Sequence, residues 1–554
     1  MSRTDRFAIL LSLLGVLAAY LVTDRVFEGL AHLEDEIAYV WQAQALAGGE
    51  LKLPSPPEPK SFLVPFVVDY NGYRFGKYPP GWPAVLAVGE LLDLRTWVNP
   101  LRAGLAIWLT YRLGRRVLNP RLGLLAAGLT LVSPFFLLNS GSLLSHPLGL
   151  VLSSGFALAW LAATSPADPG PGDGGRGASV PGWLWAAIAG LCLGWLALTR
   201  PLTAVGVALP FAVHGLYLLW RGDTAVRRRV VAAGAIALGL GMCVPAWQYA
   251  MTGDPLLNPY TLWWPYDRLG FGPGHGVTEN GHTLKQAYFN ARRSLPDGFG
   301  DLFGWWKVSW IFLPFGLWAA RRNKRLLLLA SVFPSLVLVY LAYWIGSWLF
   351  GPRYYYEGLY SLTLLSAAGI AWLAGWPLGT ESSPSERSGA QNRSSFRAIR
   401  SGWLRQALVL GCVALLVVYN LAVYLPPRLQ GMVGLYSVRS ERLEPFLSPA
   451  AQQYTPALIV VHTGEKWIAY GALLELSNPF LDTPFIFIVS RGSAIDQAVI
   501  DSFPERKVFH YYPDQPYTFY KTRRTSVPRK NTAGFTTDDR YSRPPAPAEE
   551  LPGP

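Results

Sequence analysis

Charge is scarce in this chain. Only 15% of its 554 residues are Asp, Glu, Lys or Arg, whereas soluble globular domains carry about a quarter. Cysteine is nearly absent. Cys192, Cys243 and Cys412 all fall inside apolar runs, so neither a disulfide framework nor a metal-ligand spacing can be built from them. There is no Gly-rich phosphate loop, no His/Cys metal motif and no nucleophilic serine elbow. These absences argue against a nucleotide-driven pump and against a zinc enzyme.

What the chain has in quantity is apolar and aromatic surface. Hydrophobic residues make up 51% of it, aromatics 14%, with 22 Trp, and the mean hydropathy is +0.23. Interfacial belts and carbohydrate contacts both call for such aromatics. The net charge of +13 does not mark a nucleic-acid surface, because the basic residues sit in short clusters between apolar runs. Those clusters read as a topology signal.

Apolar runs long enough to cross a bilayer occur at 7–23, 97–116, 121–138, 147–164, 182–198, 202–220, 230–250, 304–320, 326–345, 358–377 and 405–425. They predict a polytopic α-helical membrane protein of about eleven spans. Segment 81–94 is too short and too acidic to span and is placed in the interface. Basic loops hold Arg112, Arg115, Arg116 and Arg121, then Arg221 and Arg227 to Arg229, then Arg321, Arg322, Lys324 and Arg325. The linker 378–404 adds Arg387, Arg393, Arg397 and Arg400. With these loops cytoplasmic, the N-terminus is inside and the C-terminus outside. The Gly/Pro-rich connection 165–181 carries Arg176 alone and reads as a linker. The first run, behind Arg3 and Arg6, is taken as a retained signal anchor, not a cleaved signal peptide.

The expected domains are 1–425, a transmembrane domain with external loops 24–96 and 251–303; 426–525, a small extracytoplasmic α/β domain; and 526–554, a disordered tail. Strands are read at 457–462, 484–490 and 507–511, with helices near 464–476 and 493–503 between them. This domain is expected to be separable from catalysis.

Three carboxylates, Glu34, Asp35 and Glu36, follow the first span directly. They suit the N-terminal end of a short amphipathic helix lying on the membrane. They equally suit work on a lipid head group, deprotonating an acceptor hydroxyl or binding a divalent cation. Arg74 and Lys77, in Tyr73-Arg74-Phe75-Gly76-Lys77-Tyr78-Pro79-Pro80, would either pair with phosphate at head-group level or merely snorkel. Arg200 and Arg353 lie on the external side against the positive-inside trend, which fits a phosphate clamp. His146, in Ser145-His146-Pro147, reads on its own as a satisfied polar residue.

The first span followed by Asp35-Glu36-Ile37-Ala38-Tyr39, then Lys77-Tyr78-Pro79-Pro80-Gly81-Trp82-Pro83 and an interfacial helix, resembles the GT-C glycosyltransferases. The nearest group is the family-39-like set that includes protein O-mannosyltransferases and lipid A aminoarabinose transferases. Tyr111-Arg112-Leu113-Gly114-Arg115-Arg116 through Ser133-Pro134, and Leu198-Thr199-Arg200-Pro201, share that cadence. The resemblance covers about residues 1–220 well and the remaining spans loosely. It implies a polyprenyl-phosphate-linked sugar donor and a protein, lipid or glycan acceptor, with transfer on the extracytoplasmic face of the cell membrane. Asp35 would be the general base, with Glu36 assisting. Lys77, Arg200 and Arg353 would stabilise the leaving phosphate, with Arg74 and His146 as further contacts to it. Glu34 makes three acids where the family has two, and Ser145-His146-Pro147 departs from the family near the third and fourth spans. A lipid or sugar transporter or flippase, and a non-catalytic scaffold, are the competing classes.

Overall fold

The computed structural model of the protein describes residues 1–165, 181–379, 395–463 and 467–524. Most of the linkers 165–181 and 378–404, with Arg176, Arg387 and Arg393, lies outside the described residues, as does the tail 526–554. The chain divides into two compact units. One comprises Met1–Thr23, Thr96–Val244 and Arg268–Gly431; the other comprises Asp24–Arg95, Pro245–Asp267 and the chain from Met432.

The first unit is helical. Among the described residues, seven helices are long and apolar enough to cross a membrane, or eight if a bent pair counts as one span. That pair, Pro120–Leu131 and Pro134–Gly141, meets at 62°. The cause is local: Pro134 cannot continue the preceding helix, and the Ser133 hydroxyl caps the new one by accepting from the Phe136 N–H at 3.2 Å. The other expected spans are shorter or more charged than the runs implied. Val98–Val117 is one helix but carries Arg102, Arg112, Arg115 and Arg116. The run 304–320 contains only a short turn and the helix Leu313–Ala320, and 326–345 divides into Lys324–Ala330 and Val332–Tyr340. Close helix approach rests on missing side chains. A Cβ on Gly316 or Gly369 would strike the backbone carbonyl of Leu365 or Phe312.

The basic loops gather at one end of this unit. Arg115 pairs with Asp5 at 2.6 Å, and Asn323 donates to the Val117 carbonyl at 2.6 Å. Asn119 reaches the Pro377 carbonyl at 3.0 Å, and Arg229 reaches that of Ala163 at 3.2 Å. The helix His146–Thr164 therefore ends among the basic loops and begins about 28 Å away at His146.

The second unit holds two small sheets. Leu53–Pro54, Tyr73–Gly76 and Val67–Tyr70 form an antiparallel set with Tyr73–Gly76 in the middle. The strands expected near the C-terminus are present as Ala457–Val461, Phe485–Val489 and Lys507–Tyr511, all parallel, with Ala457–Val461 between the other two. A short strand, Phe519–Tyr520, adds antiparallel to the edge. Ser493–Asp501 is the expected helix; of the stretch near 464–476, the described part from Trp467 forms 3₁₀ turns, Trp467–Ala469 and Gly471–Leu476, and 464–466 lie outside the described residues.

The core of the parallel sheet is not built by the C-terminal segment alone. Phe62, from the first loop, is buried in one cluster with Leu458, Val460, Ile486, Ile488 and Val499. Arg439 pairs with Glu28 at 3.4 Å, and Arg95 is ion-paired with Glu475. Packing thus makes the first loop and the C-terminal segment a single body, whereas separability was expected.

Candidate active site

The helix Glu34–Ala47 carries the three acids in its first turn. It is buried on nearly all sides, with Ile37 to Ala43 and Ala45 enclosed, so it is a core helix of its unit and not the surface-lying amphipathic helix its spacing predicted. One face, including Ile37, Val40, Trp41 and Gln44, lines a pocket shared with Phe62, Arg74 and Leu481. Tyr39, on another face, packs against Tyr78 with ring centroids 4.5 Å apart.

The three acids have three different fates. Glu36 is 2% exposed, and its Oε2 accepts from the backbone N–H groups of His32 at 2.7 Å and Leu33 at 3.0 Å. That is helix capping. Asp35 accepts a hydrogen bond from the Tyr78 hydroxyl. Glu34 is partly buried, and burial together with the adjacent Asp35 carboxylate raises its carboxyl to about 8, with Lys77 acting in the opposite sense. Near neutral pH, Glu34 is therefore protonated.

Lys77 is enclosed by aromatic rings. Its Nζ lies 3.6 Å from the Phe66 ring centroid, 4.8 Å from those of Tyr260 and Trp264, and 5.4 Å from that of Tyr78. The Asp267 Oδ2 is 3.5 Å away. The backbone prepares this seat. Phe66 has φ +60°, a left-handed conformation that bulky residues rarely adopt, and its carbonyl accepts from the Lys77 N–H at 3.0 Å. Gln42 of the acidic helix donates to the Tyr78 carbonyl at 2.8 Å, which ties the Lys77-Tyr78-Pro79 stretch to the carboxylates. Burial lowers the Lys77 pKa, and Asp267, Asp35 and Glu34 counter it in that order. Burial and Asp35 push the Tyr78 phenol well above its usual range, so it is a donor throughout neutral pH.

Arg74 lies in the same unit but is already engaged. It is 3% exposed, donates to the Phe62 carbonyl at 2.6 Å and pairs with Asp69 at 3.2 Å. Its place is beside the Trp41 ring, 5.8 Å from the centroid, where it braces the central strand.

Arg200, His146 and Arg353 belong to the helical unit and form a second cluster. Its centre is Glu357, which is fully buried and which the sequence pattern did not single out. The Glu357 Oε1 is 3.2 Å from both the His146 Nδ1 and the Arg200 Nε. Arg200 also donates to the Ser145 hydroxyl at 3.2 Å and the Tyr340 hydroxyl at 3.1 Å. Arg353, at the start of the turn Arg353–Gly358, stands 5.9 Å from the Tyr354 centroid, as does Arg200. Two residues far apart in sequence, His146 and Arg200, both singled out for phosphate, therefore meet at one carboxylate, and Arg353 shares only the Tyr354 ring with Arg200.

Asp267 and the rings of Phe66, Tyr260 and Trp264 were missed as well. Asp267 is 190 positions from Lys77, and no spacing rule joins them. The dense stretch Trp263-Trp264-Pro265-Tyr266-Asp267, in the loop 251–303, was the available signal. Among the described residues no group of three metal-type ligands is gathered. The carboxylates around Lys77 have a lysine and a phenol as neighbours, which does not fit a divalent-cation site.

No family model matches the chain, and no curated protein matches it in sequence. Solved structures match its fold. ArnT from Cupriavidus metallidurans bound to undecaprenyl phosphate aligns at 17% sequence identity and TM-score 0.54, over 93% of this chain and 91% of that one. The apo state of the same protein aligns at 17% identity and TM-score 0.53, over 92% and 90%. The chain has the expected GT-C fold, a multi-helix membrane architecture with a small sheet-containing C-terminal region.

Proposed function

We propose that the protein is a membrane glycosyltransferase that moves a sugar from a polyprenyl-phosphate-linked donor to an acceptor on the extracytoplasmic face. The observation that carries this reading is Asp35, held by the Tyr78 hydroxyl beside the ring-enclosed Lys77. It is supported by the fold shared with ArnT, whose structure holds undecaprenyl phosphate. The basic end of the helical unit is cytoplasmic in this reading, with the N-terminus inside and the C-terminal segment outside.

In the reaction, the Asp35 carboxylate takes the proton of an acceptor hydroxyl. That oxygen bonds to the anomeric carbon as the bond from carbon to phosphate oxygen breaks, and the electron pair leaves on the phosphate. Tyr78 orients Asp35, and Glu34, neutral, places no second charge beside it. Lys77 stabilises the leaving phosphate, the type of electrostatic contribution that dominates such transfers, and the family resemblance assigns Arg200 and Arg353 to phosphate as well. His146 and Glu357 orient Arg200, Glu36 caps the helix that carries the base, and Arg74 braces the strand before Lys77. The acceptor is a hydroxyl of a protein, lipid or glycan.

Turnover of a radiolabelled polyprenyl-phosphate sugar by the purified protein tests the reading. Asp35→Asn should lower kcat by roughly 10²- to 10⁴-fold, the usual worth of a general base, with protein level and donor binding preserved. Undiminished transfer in Asp35→Asn, together with its loss in Glu34→Gln, would move the base elsewhere.

A further inference from the structure

The reading of Lys77 as a phosphate contact raises an electrostatic difficulty that the structure itself resolves. Lys77 and Asp267 are each only 3% exposed. A buried ammonium needs a counter-charge, because an unpaired one is strongly disfavoured away from water. Asp267 supplies it, but at 3.5 Å, well beyond the 2.7–2.9 Å typical of a charge-assisted bond. Asp35 is a second carboxylate within electrostatic reach of Lys77. A phosphate arriving beside Lys77 with Asp267 still in place would add a third anion around one cation.

The aromatic seat has no such dependence on a particular anion. Phe66 and Tyr78 come from the first loop, and Tyr260 and Trp264 from the segment that ends in Asp267. Their ring faces hold the ammonium by its charge. The lysine can therefore keep its position while its anionic partner changes.

We propose that Asp267 is a placeholder at Lys77, and that binding of the donor's phosphate exchanges the Asp267 carboxylate for the phosphate oxygen. This rests on the reading of Lys77 above. In the resting protein Asp267 keeps the buried lysine paired; in the loaded protein the lipid phosphate does so, and Asp267 withdraws from Nζ. The pair thus favours a ligand that brings its own negative charge over a neutral lipid of the same chain length. The opposite role, a permanent partner that phosphate joins, gives the opposite sign on mutation.

The test is equilibrium binding of a polyprenyl monophosphate, and of the corresponding neutral polyprenol, to the full-length protein in detergent. Asp267→Asn removes the competing charge with little change of shape and should tighten monophosphate binding roughly tenfold, leaving polyprenol binding unchanged. Asp267→Glu keeps the charge on a longer arm that reaches Nζ more easily, and should bind the monophosphate no better than the parent. That variant gives the sign even if the Asn variant does not fold. Lys77→Gln should weaken monophosphate binding. In the Lys77→Gln background Asp267→Asn should produce no gain. Weaker or equal binding in Asp267→Asn alongside weaker binding in Lys77→Gln would overturn the exchange while leaving Lys77 a phosphate contact. Tighter binding in Asp267→Glu would overturn it also. Unchanged binding in Lys77→Gln would overturn the reading of Lys77 itself, and the exchange with it.

Discussion

Glu34→Gln should reshape how the protein responds to pH, and in a direction that the surroundings of Glu34 dictate. The folded protein favours the neutral acid, since burial and Asp35 raise its carboxyl from 4.5 to about 8. The unfolded chain ionises this group near pH 4.5, so between these values the folded state holds a proton the unfolded state has lost. Stability must then fall as pH rises from about 4.5 to about 8, and level off above that. A tenfold change in proton affinity corresponds to about 1.4 kcal/mol, which puts the loss at no more than about 5 kcal/mol. Glu34 is only partly buried and is coupled to Asp35 and Lys77, so about 2–3 kcal/mol is the expected size. Glutamine keeps the neutral shape and cannot ionise. At pH 5 the variant and the parent should unfold together, and at pH 9 the variant should be the more stable by that amount. Thermal unfolding of both proteins in one detergent, followed by intrinsic fluorescence from pH 5 to 9, measures the difference. Parallel profiles, or a variant that loses ground as pH rises, would refute the assignment of Glu34 as a neutral acid. Turnover gives a second view: activity of the parent should fall above about pH 8, where Glu34 ionises beside Asp35, and the variant should not share that fall.

Glu36→Gln should act on stability and not on chemistry, costing about 1–2 kcal/mol through the lost charge on two backbone N–H groups, with kcat per folded molecule near that of the parent. A large fall in kcat at unchanged stability would return Glu36 to the catalytic group. Removal of everything after residue 430 should abolish donor binding as well as transfer, because Phe62 would lose the core it shares with Leu458, Val460 and Ile486; a stable truncation that still hydrolyses donor lipid would show that the first loop folds alone. A reporter active only in the cytoplasm, fused after residue 430, should be silent, and activity there would reverse the orientation taken from the basic loops.

The membrane architecture was legible in the sequence because its cause is local. A run of apolar residues needs no distant partner to be unfavourable in water, and basic clusters between such runs mark one end, where Arg115, Asn119, Arg229 and Asn323 are indeed found. The C-terminal strands were legible for the same reason. Runs such as Ala457–Val461 and Phe485–Val489 are buried on both faces and so read as continuous apolar stretches. The breaks in the expected spans were not, since a proline or a few arginines within an apolar run are weighed against packing that the run does not contain.

The acids and bases themselves were also visible, as residue types out of keeping with their position: three carboxylates just beyond a span, and arginines on the face that should lack them. Sequence alone determined that these groups needed an explanation. It could not separate Glu34, Asp35 and Glu36, because neighbours on one helical turn share a local environment in sequence and differ only in what each meets: solvent-poor packing, a tyrosine hydroxyl, or two backbone N–H groups. Nor could it bring Asp267 to Lys77, or Glu357 to His146 and Arg200. Those pairings depend on chain segments up to 211 positions apart, whose meeting is set by the packing of intervening helices and loops, and charge becomes chemistry here only where that packing removes water from around it.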